Sequence, residues 1–150
     1  MDARLLELLN ERADLVHEVG EIKKKSGAAI FAPEREEALL RSLENRNAEL
    51  GGRLPGRAIR AIYREIMSAS YALEKGLTIA YFGPEGTYTH EAARSKFGAS
   101  VTYAPYGSIT DVFSAVERGQ ADFGVVPIEN SSEGAVNVTL DSFSDSDVKI

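Results

Sequence analysis

Apolar residues in the first half of the chain recur with the spacing of amphipathic α-helices. The pattern predicts three helices, over residues 2–26, 33–50 and 55–75. The apolar stripe of the first helix is long, and it consists of Leu5, Leu8, Leu9, Leu15, Val16, Val19 and Ile22. Glycine follows each predicted helix, and proline stands near the start of the second and the third, where it is tolerated. The first half is therefore predicted to be all-helical.

From residue 77 onward, short apolar runs alternate with helical segments. The predicted order is strand 77–82, helix 90–97, strand 101–103, helix 109–118 and strand 121–126. We expect Thr89 and Ser108 to cap the two helices and residues 105–107 to form a loop. Strands that alternate with helices indicate a parallel sheet with right-handed crossovers.

Length and charge limit the classes of protein that fit. A chain of 150 residues has room for two small domains, and the change of pattern predicts domains over residues 1–76 and 77–150. The first half is balanced in charge and the second carries the whole net charge of -6, which argues against nucleic acid as a partner. No apolar run is long enough to cross a membrane, the N-terminus lacks the pattern of a signal peptide, and there is no cysteine. We expect a cytoplasmic protein without a membrane partner or thiolate chemistry.

Six charged or hydroxyl residues lie on the apolar sides of the predicted helices: Arg12, Lys23, Arg35, Glu36, Ser70 and Glu74. Arg12, for example, is seven residues from both Leu5 and Val19. Unpaired charge is costly in a core. A structural interpretation is that Arg12 and Lys23 reach solvent from the rim, or pair with Glu36 and Glu74. For the whole set, an internal cationic pocket that binds a small dianion is the better account, because the cations outnumber the carboxylates.

A second group of polar side chains follows the apolar run 123–126. Pro127 must end this strand, because proline cannot donate a ladder hydrogen bond. Glu129, Asn130 and Ser131 come directly afterwards. Open α/β sheets bind ligands outside the carboxyl ends of their strands, so these residues are candidates for a site. An ordinary strand-to-helix turn capped by Asn130 or Ser131 explains them equally well.

Neither a nucleotide site nor a metal site is predicted. The loop 83–86 lacks the G-x-G-x-x-G order and the lysine of a P-loop. His90 has no second histidine at ligand spacing, since His17 belongs to the other predicted domain. We expect no metal and no cofactor.

The order and spacing of the helical motifs resemble the all-helical chorismate mutase family over about residues 1–75. The motifs are Glu11-Arg12, Val19-Gly20 with Lys23, Pro33-Glu34-Arg35-Glu36, and Ser68-Ala69-Ser70 with Glu74. The resemblance implies that Arg12, Lys23 and Arg35 hold the carboxylates and the ether oxygen of chorismate. It also implies that Glu36 contacts the ring hydroxyl, and that Ser70 and Glu74 complete the catalytic pocket.

Two motifs of the second half, at residues 81–89 and 124–131, resemble prephenate dehydratase. The resemblance implies a substrate cleft that contains Glu129, Asn130 and Ser131, with Thr87 on the facing loop. As a whole, the chain resembles the N-terminal portion of the bifunctional chorismate mutase–prephenate dehydratases of phenylalanine synthesis. The expected fold class is α + α/β, in which a three-helix chorismate mutase domain precedes part of a periplasmic-binding-protein type II-like α/β lobe. The expected substrates are chorismate and prephenate.

The family pattern extends beyond both ends of this sequence. The family's first helix starts several turns earlier and carries another arginine that enters the partner subunit's site, so the resemblance implies a homodimer formed through the first helix. The family's Thr-Arg-Phe segment and its phenylalanine-binding regulatory domain come after the last residue. We therefore expect a portion of a longer protein, without dehydratase activity of its own.

Two other functions stay open at this point. The mutase could be fused to a different enzyme of the pathway, although the motifs in residues 79–134 argue against this. The chain could also be a non-catalytic module that binds an amino acid or an aromatic acid without turnover. Charged or hydroxyl groups on the core sides of all three helices favour catalysis.

Glu74 makes the predicted mutase activity depend on pH. A Claisen-type rearrangement needs no nucleophile, but it needs a compact substrate conformer and donors beside the ether oxygen. The resemblance puts Glu74 beside that oxygen, where a carboxyl group donates only when protonated and a Gln donates at all pH values. We expect activity to fall as the pH rises and Glu74 loses its proton. A pH–rate profile with Glu74→Gln as control tests this, and a wild-type rate that is flat from about pH 4.5 to 8.5 would contradict it.

Overall fold

A computed structural model describes residues 1–26, 33–130 and 134–150 of the chain. The chain divides into two compact units, Met1–Gly76 and Leu77–Ile150, and each is described by itself.

The first unit consists of three helices, of which α3 contacts both of the others. α1 spans Asp2–Ser26, α2 spans Pro33–Glu49 and α3 spans Gly56–Glu74. The three predicted helices are confirmed, with ends that differ by no more than one residue. Leu40 and Met67 are among the buried apolar side chains that hold α2 and α3 together.

α1 leaves most of its apolar stripe in contact with solvent. Exposure is between 36% and 66% for six members of the stripe, namely Leu5, Leu8, Leu9, Leu15, Val19 and Ile22. The prediction that this stripe faces a core is therefore wrong for the unit itself. Gly20 on α1 is buried, and it lets α1 approach α3 closely, because a Cβ there would stand 3.1 Å from the Cγ of Glu74.

An ion-pair network connects α2 to α3 on the outside of the unit. Arg60 on α3 donates to Glu37 and Glu44 on α2, in each case with an N···O distance of 2.8 Å. Arg41 also donates to Glu37, at 3.1 Å, from one turn further along α2. These hydrogen bonds from Arg60 and Arg41 lower the pKa of Glu37 from 4.5 to about 2. The network therefore consists of charged groups at neutral pH.

The second unit is a parallel three-stranded sheet with helices between the strands, as predicted. The elements in chain order are β1 (Thr78–Phe82), α4 (Tyr88–Phe97), β2 (Thr102–Tyr106), α5 (Ile109–Glu117) and β3 (Phe123–Val125). The strand order is β2-β1-β3, and both pairs are parallel. The register pairs Tyr81 with Pro105 and with Val125.

One part of the core of the second unit lies between α5 and the sheet. It is a cluster of small and β-branched side chains, namely Ala80, Val112, Ala115 and Ala121. Gly124 makes this packing possible, since a Cβ on Gly124 would stand 2.8 Å from the Cγ1 of Val112.

Three boundaries in the second unit differ from the prediction by two or three residues, and one of them is the start of β3, which is Phe123 instead of residue 121. The cap of α4 is Thr87, whose side chain accepts from the backbone N–H of His90, and not Thr89. β2 continues through Pro105 to Tyr106, where a loop was predicted. Proline is tolerated there because β2 is an edge strand. The predicted cap Ser108 is confirmed, since it accepts from the N–H of Asp111.

The segment after Pro127 forms a hairpin instead of the strand-to-helix turn that the sequence left open. β4 (Glu129–Asn130) pairs antiparallel with β5 (Gly134–Ala135), and α6 (Asn137–Asp145) follows. The buried Thr139 anchors the start of this segment, because its hydroxyl donates to the carbonyl of Pro127 at 2.7 Å.

Loss of the network between α2 and α3 should lower stability in a pH-dependent way. Because the folded-state pKa of Glu37 is depressed, its contribution is complete above the unfolded value and disappears as the pH falls from 4.5 toward 2. We expect Arg60→Met to lower the Tm by a few degrees at pH 7, and the difference from wild type to shrink toward pH 2.

Arg41→Met is the matched control for this experiment, because Arg41 pairs with Glu37 within one helix and its side chain is 72% exposed. Its effect on the Tm at pH 7 should be smaller. Thermal unfolding followed by circular dichroism between pH 2 and 7 measures both variants. An Arg60→Met difference that is independent of pH would contradict the role of Glu37.

Candidate functional site

The three helices of the first unit enclose a cavity of about 340 Å³, a volume typical of small-molecule sites. All six polar residues predicted from the helical pattern line it: Arg12, Lys23, Arg35, Glu36, Ser70 and Glu74. The other lining residues are mostly apolar, and they are Leu15, Val16, Val19, Leu39, Met67 and Tyr71. Residues from all three helices therefore meet in one pocket.

Arg12 is held against α3 by a hydrogen bond. Its Nη1 donates to the Oγ of Ser70 at 2.6 Å. The Ser70 hydroxyl in turn donates to the backbone carbonyl of Ile66 at 2.8 Å. The hydroxyl group of Ser70 has one hydrogen atom, and it is used in the hydrogen bond to that carbonyl. The Ser70 oxygen is therefore oriented as an acceptor for the guanidinium. Ser70 thus fixes one cation in the wall of the cavity.

Lys23 and Glu74 form an ion pair between α1 and α3. The Lys23 Nζ lies 3.2 Å from the Glu74 Oε2, and Glu74 is buried. This is one of the pairings that the structural interpretation of the sequence allowed. Both side chains nevertheless line the cavity, so a structural contact and a contact with a ligand are compatible here.

Glu36 pairs with a residue that the sequence analysis did not single out. The Arg64 Nη1 donates to the Glu36 Oε1 at 2.5 Å. The side chain of Glu36 is 4% exposed and that of Arg64 is 16% exposed. A carboxylate so far removed from water requires such a partner.

Tyr71 is the second residue of this region that sequence reasoning missed. Burial raises the pKa of its phenol, and the nearby negative charges of Glu36 and Glu74 raise it further. Tyr71 is therefore a neutral phenol in the wall of the cavity.

The helical pattern contained a signal for both missed residues. Arg64, Met67, Tyr71 and Glu74 follow one another at intervals of three, four and three residues, which places them on one side of a helix. Glu74 was identified from the sequence, and its stripe extends back through Tyr71 to Arg64.

In the second unit, Thr87 caps α4 and ends a loop that two hydrogen bonds hold in place. The Thr87 hydroxyl donates to the carbonyl of Pro84 at 3.1 Å. The backbone N–H of Gly86 donates to the Nδ1 of His90 at 3.0 Å. The imidazole of His90 is buried and stacks on Tyr81 with a centroid distance of 4.7 Å. His90 thus orients this loop, a role that the sequence analysis did not assign to it.

Two other candidate residues of the second unit, Glu129 and Asn130, form β4. Glu129 is exposed and pairs with Ala135 in the backbone ladder, and Asn130 pairs with Gly134. Ser131 lies outside the described residues. Because β1 and β3 are adjacent and parallel, the Thr87 loop and the hairpin leave the sheet at the same carboxyl edge. Within the described part of the chain, two cavities of this unit, of about 330 and 400 Å³, are lined by neither Thr87 nor Glu129.

Searches for two other features of the described residues gave negative results. These residues contain no group of three or more His, Cys, Asp or Glu side chains that could hold a metal ion. Among the same residues, no helix combines the length and the apolar character needed to span a membrane.

Comparison with known proteins assigns a different family to each unit. Residues 1–75 match the family described as chorismate mutase type II. Residues 79–150 match the family described as prephenate dehydratase.

Longer relatives carry both regions in one chain. The bifunctional chorismate mutase/prephenate dehydratase of Aquifex aeolicus is 50% identical over 100% of this chain and 42% of its own length. The protein of the same name from Escherichia coli K12 is 34% identical over 94% of this chain and 40% of its own length. A solved structure of prephenate dehydratase from Streptococcus mutans matches with a TM-score of 0.43 and 41% identity, over 49% of this chain and 37% of that chain. This chain thus spans about 42% of the length of curated relatives that it matches.

Proposed function

The chain belongs to the chorismate mutase type II family, which matches its residues 1–75, and on that premise we propose that its first unit rearranges chorismate to prephenate. One observation carries the proposal. Six polar residues that are scattered over the sequence from Arg12 to Glu74 line a single cavity of about 340 Å³ between three helices.

The charges of the cavity fit a substrate with two carboxylates. Arg12 and Arg35 are the cations proposed to bind them, because a guanidinium matches the geometry of a carboxylate. Arg35 lies in the first turn of α2 and is exposed, so an entering ligand can reach it. Glu36 is proposed to accept a hydrogen bond from the ring hydroxyl.

The reaction itself requires orientation and electrostatic stabilisation. Binding both carboxylates holds the substrate in the compact conformer in which the new carbon–carbon bond can form as the ether bond breaks. Negative charge develops on the ether oxygen in the transition state, and Lys23 and Glu74 are proposed to lie beside it. An ammonium carries three N–H donors, so the bond from Lys23 to Glu74 is compatible with another to the substrate. Glu74 accepts from Lys23 in this arrangement, and donation to the ether oxygen requires its protonated form.

For the second unit, we propose a part in the binding of prephenate within a longer protein that converts it to phenylpyruvate in phenylalanine biosynthesis. The proposed contact residues are Thr87, Glu129, Asn130 and Ser131. The match of residues 79–150 to prephenate dehydratase supports this assignment, as does the exit of both motifs at one edge of the sheet. We also propose a cytoplasmic location.

We also propose that two copies of the chain associate through α1. Six apolar side chains of this helix are between 36% and 66% exposed, and an apolar surface of this kind marks an interaction site. A second copy would remove the stripe from water, which is favourable at roughly 25 cal/mol per Å² of apolar area.

Chorismate turnover by the purified chain tests the mutase proposal. We expect prephenate to form without phenylpyruvate, and Arg35→Ala to lower kcat/KM by about 10- to 100-fold, since a hydrogen bond to a charged group contributes about 1.5–3 kcal/mol. Arg57→Ala is the matched control, because Arg57 is exposed on α3 and does not line the cavity. Equal rates for the two variants would contradict the assignment of Arg35. Lack of turnover, both in this chain and in one extended by the family's upstream helical turns, would refute the mutase proposal.

If two copies associate through α1, charged substitutions in its apolar stripe should lower the mass of the particle in solution. Leu5→Lys with Leu8→Lys puts two charges into the stripe, away from the cavity lining, and should convert a dimer to monomers in light scattering coupled to size exclusion. Leu50→Lys is the control, since Leu50 is 74% exposed at the end of α2. A wild-type monomer would contradict the proposal, and so would a double variant that remains dimeric.

A further inference from the structure

Arg64 contacts the cavity through another residue. Its guanidinium donates to Glu36, whose side chain lines the cavity, whereas Arg64 does not. The donor–acceptor distance is 2.5 Å, and both side chains are largely removed from water. The contact joins α3 to α2 immediately outside the pocket wall.

The ion pair with Arg64 favours the ionised form of the Glu36 carboxyl group. A carboxylate in a buried position tends to take up a proton, because burial disfavours the charged form. A neighbouring arginine opposes this, since a guanidinium stays charged at every pH relevant to the protein. Glu36 is thereby kept as an ionised hydrogen-bond acceptor.

Arg64 also changes the charge that a ligand meets. The lining alone contains three cations, Arg12, Lys23 and Arg35, and two carboxylates, Glu36 and Glu74. With the charge of Glu36 offset by Arg64, the group as a whole has an excess of two positive charges when Glu74 is ionised. An excess of two charges complements a dianion, and the protonation of Glu74 that the proposed donation requires would raise the excess to three.

We propose that Arg64 is a positioning residue of the mutase site, which holds Glu36 as the acceptor for a hydroxyl group on a dicarboxylate substrate and completes the charge balance of the cavity. This inference rests on the proposed mutase function. Arg64 is four residues after Arg60, which makes a similar ion-pair connection between α3 and α2 away from the cavity. Arg60 is therefore a matched control, because its ion pairs connect the same two helices but lie away from the cavity.

Steady-state kinetics with chorismate give the first test. We expect Arg64→Met to lower kcat/KM by about 10- to 100-fold, the size of one hydrogen bond to a charged group. The loss should appear mainly in KM, because the substrate hydroxyl is bound in both the ground state and the transition state. Arg64→Lys, which keeps the charge, should recover most of the loss, and Arg60→Met should leave both constants unchanged although it lowers the Tm. Equal kinetic constants for Arg64→Met and Arg60→Met would overturn the inference.

A double variant tests whether Arg64 acts through Glu36. If it does, Glu36→Gln combined with Arg64→Met should be no slower than Glu36→Gln alone, because the two losses are one and the same. The double variant also leaves no buried carboxylate at position 36 without its partner, so it remains informative if Arg64→Met alone does not fold. A double variant that is slower than Glu36→Gln alone would show that Arg64 does not act through Glu36.

An NMR titration decides the contact without requiring turnover. The side-chain carboxyl carbon of Glu36 should titrate at higher pH in Arg64→Met than in wild type, and Arg60→Met should resemble wild type. Should both this chain and the extended chain fail to turn over chorismate, the mutase proposal fails, whereas the shifted titration would still establish Arg64 as the group that keeps Glu36 ionised. An unshifted titration of Glu36 would overturn the inference whatever the activity.

Discussion

Charged side chains that leave water need partners, and in the first unit the partners come from different helices. α3 carries Arg64 and Glu74 on one side, ten residues apart. Arg64 is paired with Glu36 of α2, and Glu74 is paired with Lys23 of α1. The positions of α1 and α2 relative to α3 depend on these two contacts as well as on apolar packing. Because three of the four residues also line the cavity, the same groups that hold the helices together form the walls of the pocket.

This double use has a chemical consequence for the proposed rearrangement, which proceeds without a nucleophile. Rate enhancement must come from a polar environment that is already oriented before the substrate arrives. Ion pairs between helices supply such orientation, since each charged group is held by a partner on another element. Arg12 is held in the same way by the Ser70 hydroxyl, which is itself tied to the backbone of α3. The cations that a dianion would meet are thus partly ordered by the fold.

In the second unit, it is the backbone topology that brings polar residues together. Its parallel strands place the Thr87 loop and the hairpin after Pro127 at one edge of the sheet. Each segment has its own anchor: His90 accepts from the backbone of the loop, and Thr139 donates to the carbonyl of Pro127. Polar residues at this edge are therefore carried by backbone that is hydrogen-bonded at defined points.

The sequence was sufficient to predict local structure, because the periodicity of apolar residues indicates which residues share one side of a helix. It predicted all three helices of the first unit, the parallel sheet of the second, and the six polar residues that meet in the cavity. It failed where a neighbouring element decides the outcome. Pro105, for example, lies in a strand because β2 is at an edge of the sheet.

What only the tertiary structure decided is the pairing of charges between helices. Lys23 and Glu74 are 51 residues apart, and Glu36 and Arg64 are 28 apart, so no sequence spacing relates them. Helical periodicity defines a side of each helix, but leaves open how far one helix slides and rotates against the next. That offset is settled by side-chain volumes at the contact, such as the missing Cβ of Gly20 beside Glu74. The sequence by itself therefore determined which polar residues share the apolar side of each helix, and packing determined which of them hold one another in place.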